Sequence, residues 1–126
     1  MSVTVMAWGY KHGEPPKCDF EFSLKKLRNP YRLLRLRHLT GHDARVREDV
    51  WSSDAAEEHY QHCRRAVKHV TLSEDEVVVV FGCHAGRHRS VTFARRLFED
   101  LDSMGVTVRL ETPFALQSVA EIEETA

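Results

Sequence analysis

The apolar run Val77-Val78-Val79-Val80-Phe81 constrains the fold of this chain more than any other segment, because it stops abruptly at Gly82 and gives way, from Ser90 onward, to a helical pattern. A short continuous run without polar alternates is the signature of a strand buried on both faces of a parallel sheet. The following Val91, Ala94, Leu97, Phe98 and Leu101 recur at helical spacing, with Gly105 placed as a C-terminal cap. Strand, glycine-bearing loop and helix in this order predict an α/β fold.

The remaining segments fit around that unit. Ser2 to Trp8 alternates and is β-branched, predicting an opening strand that runs into Gly9, Gly13 and Pro15-Pro16. Asp19 to Leu24 places Phe20, Phe22 and Leu24 on one face, predicting a second strand. The stretch from Arg28 to Gly41, with Asn29-Pro30 and Thr40-Gly41, has no clean period and reads as irregular or partly helical. Asp43 is placed to cap a short helix through Val50, and Asp54 a longer one through His69, whose apolar face is read as Ala55, His59, Cys63, Ala66 and Val70. Val106 to Leu110 reads as a last strand, followed by Pro113 and a terminal helix. The expectation is one domain over residues 1–126, with a mixed, mostly parallel sheet of about four strands flanked by helices.

A formal charge of -1, from 18 basic and 19 acidic side chains, identifies no partner by itself. The distribution is uneven: Lys25, Lys26, Arg28, Arg32, Arg35, Arg37, Arg45 and Arg47 face the single acid Asp43 within that window, while Glu111, Glu121, Glu123 and Glu124 make the tail acidic. The basic segment reads either as a solvated face or as a nucleic-acid surface. Cys18, Cys63 and Cys83 are odd in number and widely spaced, which argues against a disulfide framework and a Cys-pair zinc site. His59, His62 and His69 lack carboxylate or Cys partners at ligand spacing, so no metal site is expected. Trp8 and Trp51 are expected in the core or an interface. With no signal peptide and no membrane-length apolar run, a cytoplasmic location without a membrane partner is expected.

The loop Gly82 to Ser90 concentrates the chemistry. A loop leading from a buried strand into a helix lets backbone N–H groups and the helix dipole converge on an anion. Gly82 and Gly86 would permit close backbone approach, Arg89 could clamp a phosphate, Ser90 could add a hydroxyl, and His84 and His88 could donate or titrate. The alternative is that the glycines only shape a turn and that Arg87 and Arg89 are solvated. Cys83-x5-Arg89-Ser90 also has the spacing of the cysteine-phosphatase loop, which would make Cys83 a nucleophile and Arg89 its clamp, although Gly82 stands where those enzymes commonly carry His.

Four ordered motifs resemble the C-terminal domain of the RapZ (RNase adapter) family: Gly82-Cys83-x-x-Gly86-x-His88-Arg89-Ser90-Val91, Gly9-Tyr10-Lys11-His12-Gly13-x-Pro15, Leu27-x-Asn29-Pro30, and Leu36-Arg37-x-Leu39-Thr40-Gly41-x-Asp43-x-x-Val46. The usual Thr-Gly after the family's Cys is His84-Ala85 here, and the residue after Asn-Pro, His in some members, is Tyr31. The resemblance implies a non-enzymatic, cofactor-free binding module that senses a phosphorylated amino sugar, binds small RNA and self-associates as a dimer. It implies a ligand pocket of Gly82, Cys83, His84, Ala85, Gly86, His88, Arg89 and Ser90 with Lys11, Asn29 and Thr40 as neighbours. Lys25, Lys26, Arg28, Arg32, Arg35 and Arg37 would supply RNA contacts. The ATPase half of the fuller proteins is expected to be missing, because no Gly-x-x-x-x-Gly-Lys-Ser/Thr occurs. A purely scaffolding domain that keeps the loop as a relic is the third alternative.

Overall fold

In the computed structural model, which describes residues 2–71 and 75–115, a four-stranded sheet carries its helices on the face that holds the core. The strands are β1 (Ser2–Gly9), β2 (Phe20–Ser23), β3 (Glu76–Cys83) and β4 (Thr107–Glu111), and the helices α1 (Ala44–Trp51), α2 (Asp54–Thr71) and α3 (Arg89–Ser103). The spatial order is β2-β3-β1-β4 and every pairing is parallel, the limiting case of the mostly parallel sheet expected. Met6 lies opposite Val80 and Gly9 opposite Cys83, so β1 and β3 end level with each other beneath the loop that follows. The expected irregular segment holds two 3-10 turns, Pro30–Arg32 and Leu34–Leu36. The expected terminal helix, with Glu121, Glu123 and Glu124, lies outside the described residues.

Side-chain alternation puts Val3, Val5 and Ala7 of β1 beside Val77, Val79, Phe81 and Cys83 of β3 in the core, against α2 and α3. Phe93 sits at the centre, with ring centroids 4.8 Å from Trp51, 5.9 Å from Tyr60 and 5.7 Å from Phe81. Burying each such ring contributes about 2–3 kcal/mol. Trp51 thus packs against the core, and Trp8 packs edge-on to Phe114.

Two helical faces differ from expectation. The buried stripe of α2 is Ala56, Tyr60, Cys63 and Val67, one position round from Ala55, His59 and Ala66. Tyr60 turns inward because its hydroxyl donates to the Asp100 carboxylate, so its ring can be buried with no polar atom left unpaired. Phe93, not Phe98, is the buried aromatic of α3. Asp43 caps α1 by accepting from the Arg45 N–H, whereas Asp54 is already helical, where its charge faces the helix dipole. Gly105 follows α3 with φ +80°, as its reading as a cap required.

Candidate functional site

At the C-terminal edge of a parallel sheet the strand ends and the loops after them form a natural ligand crevice. Here the loops after β1 and β3 meet there. The Lys11 N–H donates to the His84 carbonyl at 3.0 Å, and Gly9 packs directly on the backbone of Ala85 and Gly86. Gly86 has φ +74°, which turns the chain back toward α3. The third wall is the segment between β2 and α1.

Three successive residues fasten that segment. The Gly41 N–H donates to the Arg87 carbonyl at 2.7 Å, His88 Nε2 lies 3.0 Å from the Leu36 carbonyl, and Arg89 Nη1 donates to the carbonyls of Leu24, Lys25 and Leu27 at 3.0–3.1 Å. With one ring nitrogen facing a carbonyl, His88 carries its proton on Nε2. Ser90 is also turned inward, accepting from Cys83 Sγ at 3.1 Å.

Between these walls lies a cavity of about 360 Å³, lined by Lys11, Asn29, Tyr31, Cys83, His84, Ala85, Arg87, His88 and Arg89. Seven of the eleven expected ligand residues line it. Gly82 lies beneath Tyr10, Gly86 packs against Gly9, Ser90 is bonded to Cys83, and Thr40 Oγ1 accepts from the His42 N–H. Tyr31 and Arg87 are additions that the sequence reading left out of the pocket. A signal for Arg87 lay in its position beside His88 in the glycine loop. Tyr31 could have been found as the aromatic next to Asn29-Pro30, where the Asn29 side chain accepts from the Tyr31 N–H.

The electrostatics are lopsided. Among the described residues lining the cavity there are three cations and no carboxylate. The Lys11 and Arg87 side chains form no hydrogen bond or ion pair with the described residues. Arg89 is 5 % exposed, its Nε has no partner among them, and its charge is met by carbonyl dipoles alone. Burial holds the His88 imidazole below its ordinary value of 6.5, and the neighbouring Arg87 and Arg89 charges push the same way against the Leu36 carbonyl. His59 is depressed by burial too, with His62 beside it. A depressed imidazole takes up its proton more readily in the unfolded chain, so stability is complete above pH 6.5 and falls as pH drops through the folded values. The melting temperature should therefore decline below pH 6.5, and His88→Asn should flatten that decline. An unchanged slope would show that His88 does not titrate on unfolding.

The basic segment is partly neutralised. Arg32 makes a two-pronged pair with Asp49 at 3.0 and 3.1 Å, Arg28 reaches the Asp49 carbonyl at 3.3 Å, and Arg45 pairs with Asp43. Lys25 lies over the Tyr10 ring and Arg37 over the Tyr31 ring. Lys25, Lys26, Arg35 and Arg37 are exposed and make no ion pair with the described residues. Among the described residues no cluster of His, Cys, Asp and Glu could hold a metal ion, and no helix is long and apolar enough to cross a membrane.

Comparison with known proteins agrees with this arrangement of motifs. A family model described as the RapZ C-terminal domain matches residues 1–112. A "Nucleotide-binding protein" of Limosilactobacillus reuteri (strain DSM 20016) is 36% identical over 111 residues, which cover 84% of this chain and 38% of that protein. A protein of the same name from Limosilactobacillus reuteri subsp. reuteri (strain JCM 1112) matches to the same extent. The chain thus spans well under half the length of these relatives. With the model covering residues 1–112 and the glycine loop, the Lys11 turn and the Asn29-Pro30 segment closing round one cavity, this chain belongs to the RapZ C-terminal domain family.

Proposed function

We propose that the cavity binds a phosphorylated ligand and that the chain works as a binding module. The observation that carries this reading is the buried Arg89 guanidinium, which has no carboxylate opposite it among the described residues and stands on the wall of a cavity shared with Lys11 and Arg87. A buried charge without a counterion is costly, and a bound anion would supply the missing charge. The start of α3, at Arg89 on the cavity wall, adds to the attraction through the partial positive charge of a helix N-terminus. The name carried by the Limosilactobacillus reuteri relatives, nucleotide-binding protein, fits the same class of ligand.

The phosphatase alternative gains little from this geometry. Arg89 Nη1 is occupied by three carbonyls, and Cys83 Sγ, on a residue 2 % exposed, is bonded to Ser90. RNA remains a second reading, favoured by the exposed Lys25, Lys26, Arg35 and Arg37. It requires an affinity that falls steeply with salt.

The test is a thermal-shift titration with inorganic phosphate and phosphorylated metabolites. A ligand that binds only the folded domain raises its melting temperature with concentration. The shift should be present in the wild type and largely lost in Lys11→Ala and Arg87→Ala, neither of which removes a side-chain hydrogen bond or ion pair between described residues. No shift with any phosphate compound would reject the proposal.

A further inference from the structure

Tyr31, Leu34 and Met104 are the large apolar side chains that stand exposed among the described residues, and two of them, Leu34 at 76 % and Tyr31 at 53 %, share one short stretch. That stretch runs through the 3-10 turns Pro30–Arg32 and Leu34–Leu36, a geometry in which residues three apart eclipse one another. Leu36 is buried, with Leu33 and Leu39 half-buried on either side, so every third position from Leu33 faces inward. Tyr31, Leu34 and Arg37 form the alternate row, and all three are exposed. The Arg37 guanidinium lies over the Tyr31 ring, 4.9 Å from its centre, as a shared face requires. The row is also held firmly. Arg37 Nε donates to the Tyr31 carbonyl at 2.7 Å, the Asn29 side chain accepts from the Tyr31 N–H, and His88 holds the Leu36 carbonyl from below. With the inward leucines already packed, Leu34 adds nothing to the core.

The surroundings of Leu34 are cationic. Arg35 and Arg37 flank it, and Lys25 and Lys26 stand on the neighbouring stretch that Arg89 fastens through its carbonyls. These four exposed side chains make no ion pair with the described residues, whereas Arg32 is paired with Asp49. Cations alone suit any polyanion, but an aliphatic side chain among them gains little from a sugar-phosphate chain. A surface that is anionic outside and apolar a few ångströms beneath rewards both kinds of group. Tyrosine, with an apolar ring and a polar tip, suits the level between the two.

We propose that this turn docks on an anionic lipid surface, with Leu34 inserted below the headgroups, Tyr31 at their level, and Arg35 and Arg37 against their phosphates. A single apolar anchor gives only marginal membrane association, so the apolar and the basic parts are both needed, and the docking is reversible and weakened by salt. It needs no membrane-spanning helix, and the described residues contain none. It departs from the expectation of no membrane partner, which drew only on the lack of a spanning run. The inference is independent of the anion-binding reading, since Leu34, Arg35 and Arg37 line no part of the cavity.

Co-sedimentation with vesicles of phosphatidylcholine, alone or in equimolar mixture with phosphatidylglycerol, tests it. The protein should bind the mixed vesicles at low salt and leave pure phosphatidylcholine unbound. Leu34→Ser should weaken binding by about fivefold or more, the effect of keeping even part of a leucine side chain in water. Arg35→Gln should weaken it by about fivefold, the contribution of one basic side chain at such a surface. Leu34→Trp should bind more tightly than wild type, and its fluorescence should shift to the blue on the mixed vesicles alone. Absence of binding, equal binding to both vesicle types, or a Leu34→Ser variant that binds like wild type overturns the inference. So does binding that is lost in Lys11→Ala but kept in Leu34→Ser, which would place a lipid headgroup in the cavity. Salt-sensitive binding of RNA without binding of the mixed vesicles would assign the cations to a nucleic acid and equally overturn it.

Discussion

Arg89→Ala is expected to lower the stability of the domain by about 3 kcal/mol or more, on the basis that hydrogen bonds to a charged group contribute about 1.5–3 kcal/mol each and are not fully additive. The guanidinium donates to three carbonyls, of Leu24, Lys25 and Leu27, from a residue 5 % exposed. Alanine removes the donor to the Lys25 and Leu27 carbonyls, leaves Leu24 with only the Leu27 N–H, and opens a void beneath the segment that forms the third wall of the cavity. In a domain of this size about 3 kcal/mol corresponds to a fall of roughly 12 °C in melting temperature. Arg89→Lys keeps the charge and one donor group, so it should lose less. Chemical denaturation of the three proteins checks the order. If Arg89→Ala unfolds at the wild-type denaturant concentration, the bonds to residues 24–27 do not hold the segment. Because this residue supports the fold, loss of ligand binding in Arg89→Ala could not by itself assign it to the ligand, which is why Lys11 and Arg87 are the variants that test the site.

Much of the fold was legible because it rests on local pattern. The run Val77 to Phe81 could be buried on both faces only in a parallel sheet, and the alternation of Ser2 to Trp8 gave its neighbour. The face of α2 was misread by one position because the hydroxyl of Tyr60 looks polar in sequence, while in the fold Asp100, forty residues away, satisfies it. The site divides in the same way. Its place, the loop after β3, followed from a buried strand, two glycines and a helix. The roles within it did not, because His88 and Arg89 are held by carbonyls 52 to 65 residues earlier in the chain, a tertiary relation that leaves no local signal. Likewise the basic window from Lys25 to Arg47 ends two residues before Asp49, the acid that folds back to pair with Arg32. Charge counted along the chain overstated the charge presented at the surface.

Gly86→Ala should cost about as much as Arg89→Ala, for a different reason. At φ +74° an L side chain costs about 1–2 kcal/mol in backbone strain. The added Cβ would also lie 2.6 Å from the Gly9 backbone nitrogen, a contact that only backbone movement can relieve. Overpacking of this kind typically adds 1–3 kcal/mol, so a total of about 3 kcal/mol is expected. Gly13 is a case of strain without contact: at φ +112° and ψ -165° it lies in a region essentially reserved for glycine, with open space around its Cβ position, so Gly13→Ala should show backbone strain and no clash. Gly9→Ala supplies the complement, since its Cβ would stand 2.4 Å from the Ala85 carbonyl carbon with no positive φ involved. Urea denaturation should rank Gly86→Ala as the most damaging of the three, with Gly9→Ala losing ligand affinity as well, because parting β1 from the loop moves Lys11 away from His84. If Gly86→Ala and Gly13→Ala prove equally mild, the loop does not depend on the close approach of the two backbones, and the cavity must be held in shape by the segment from Leu24 to Gly41 instead.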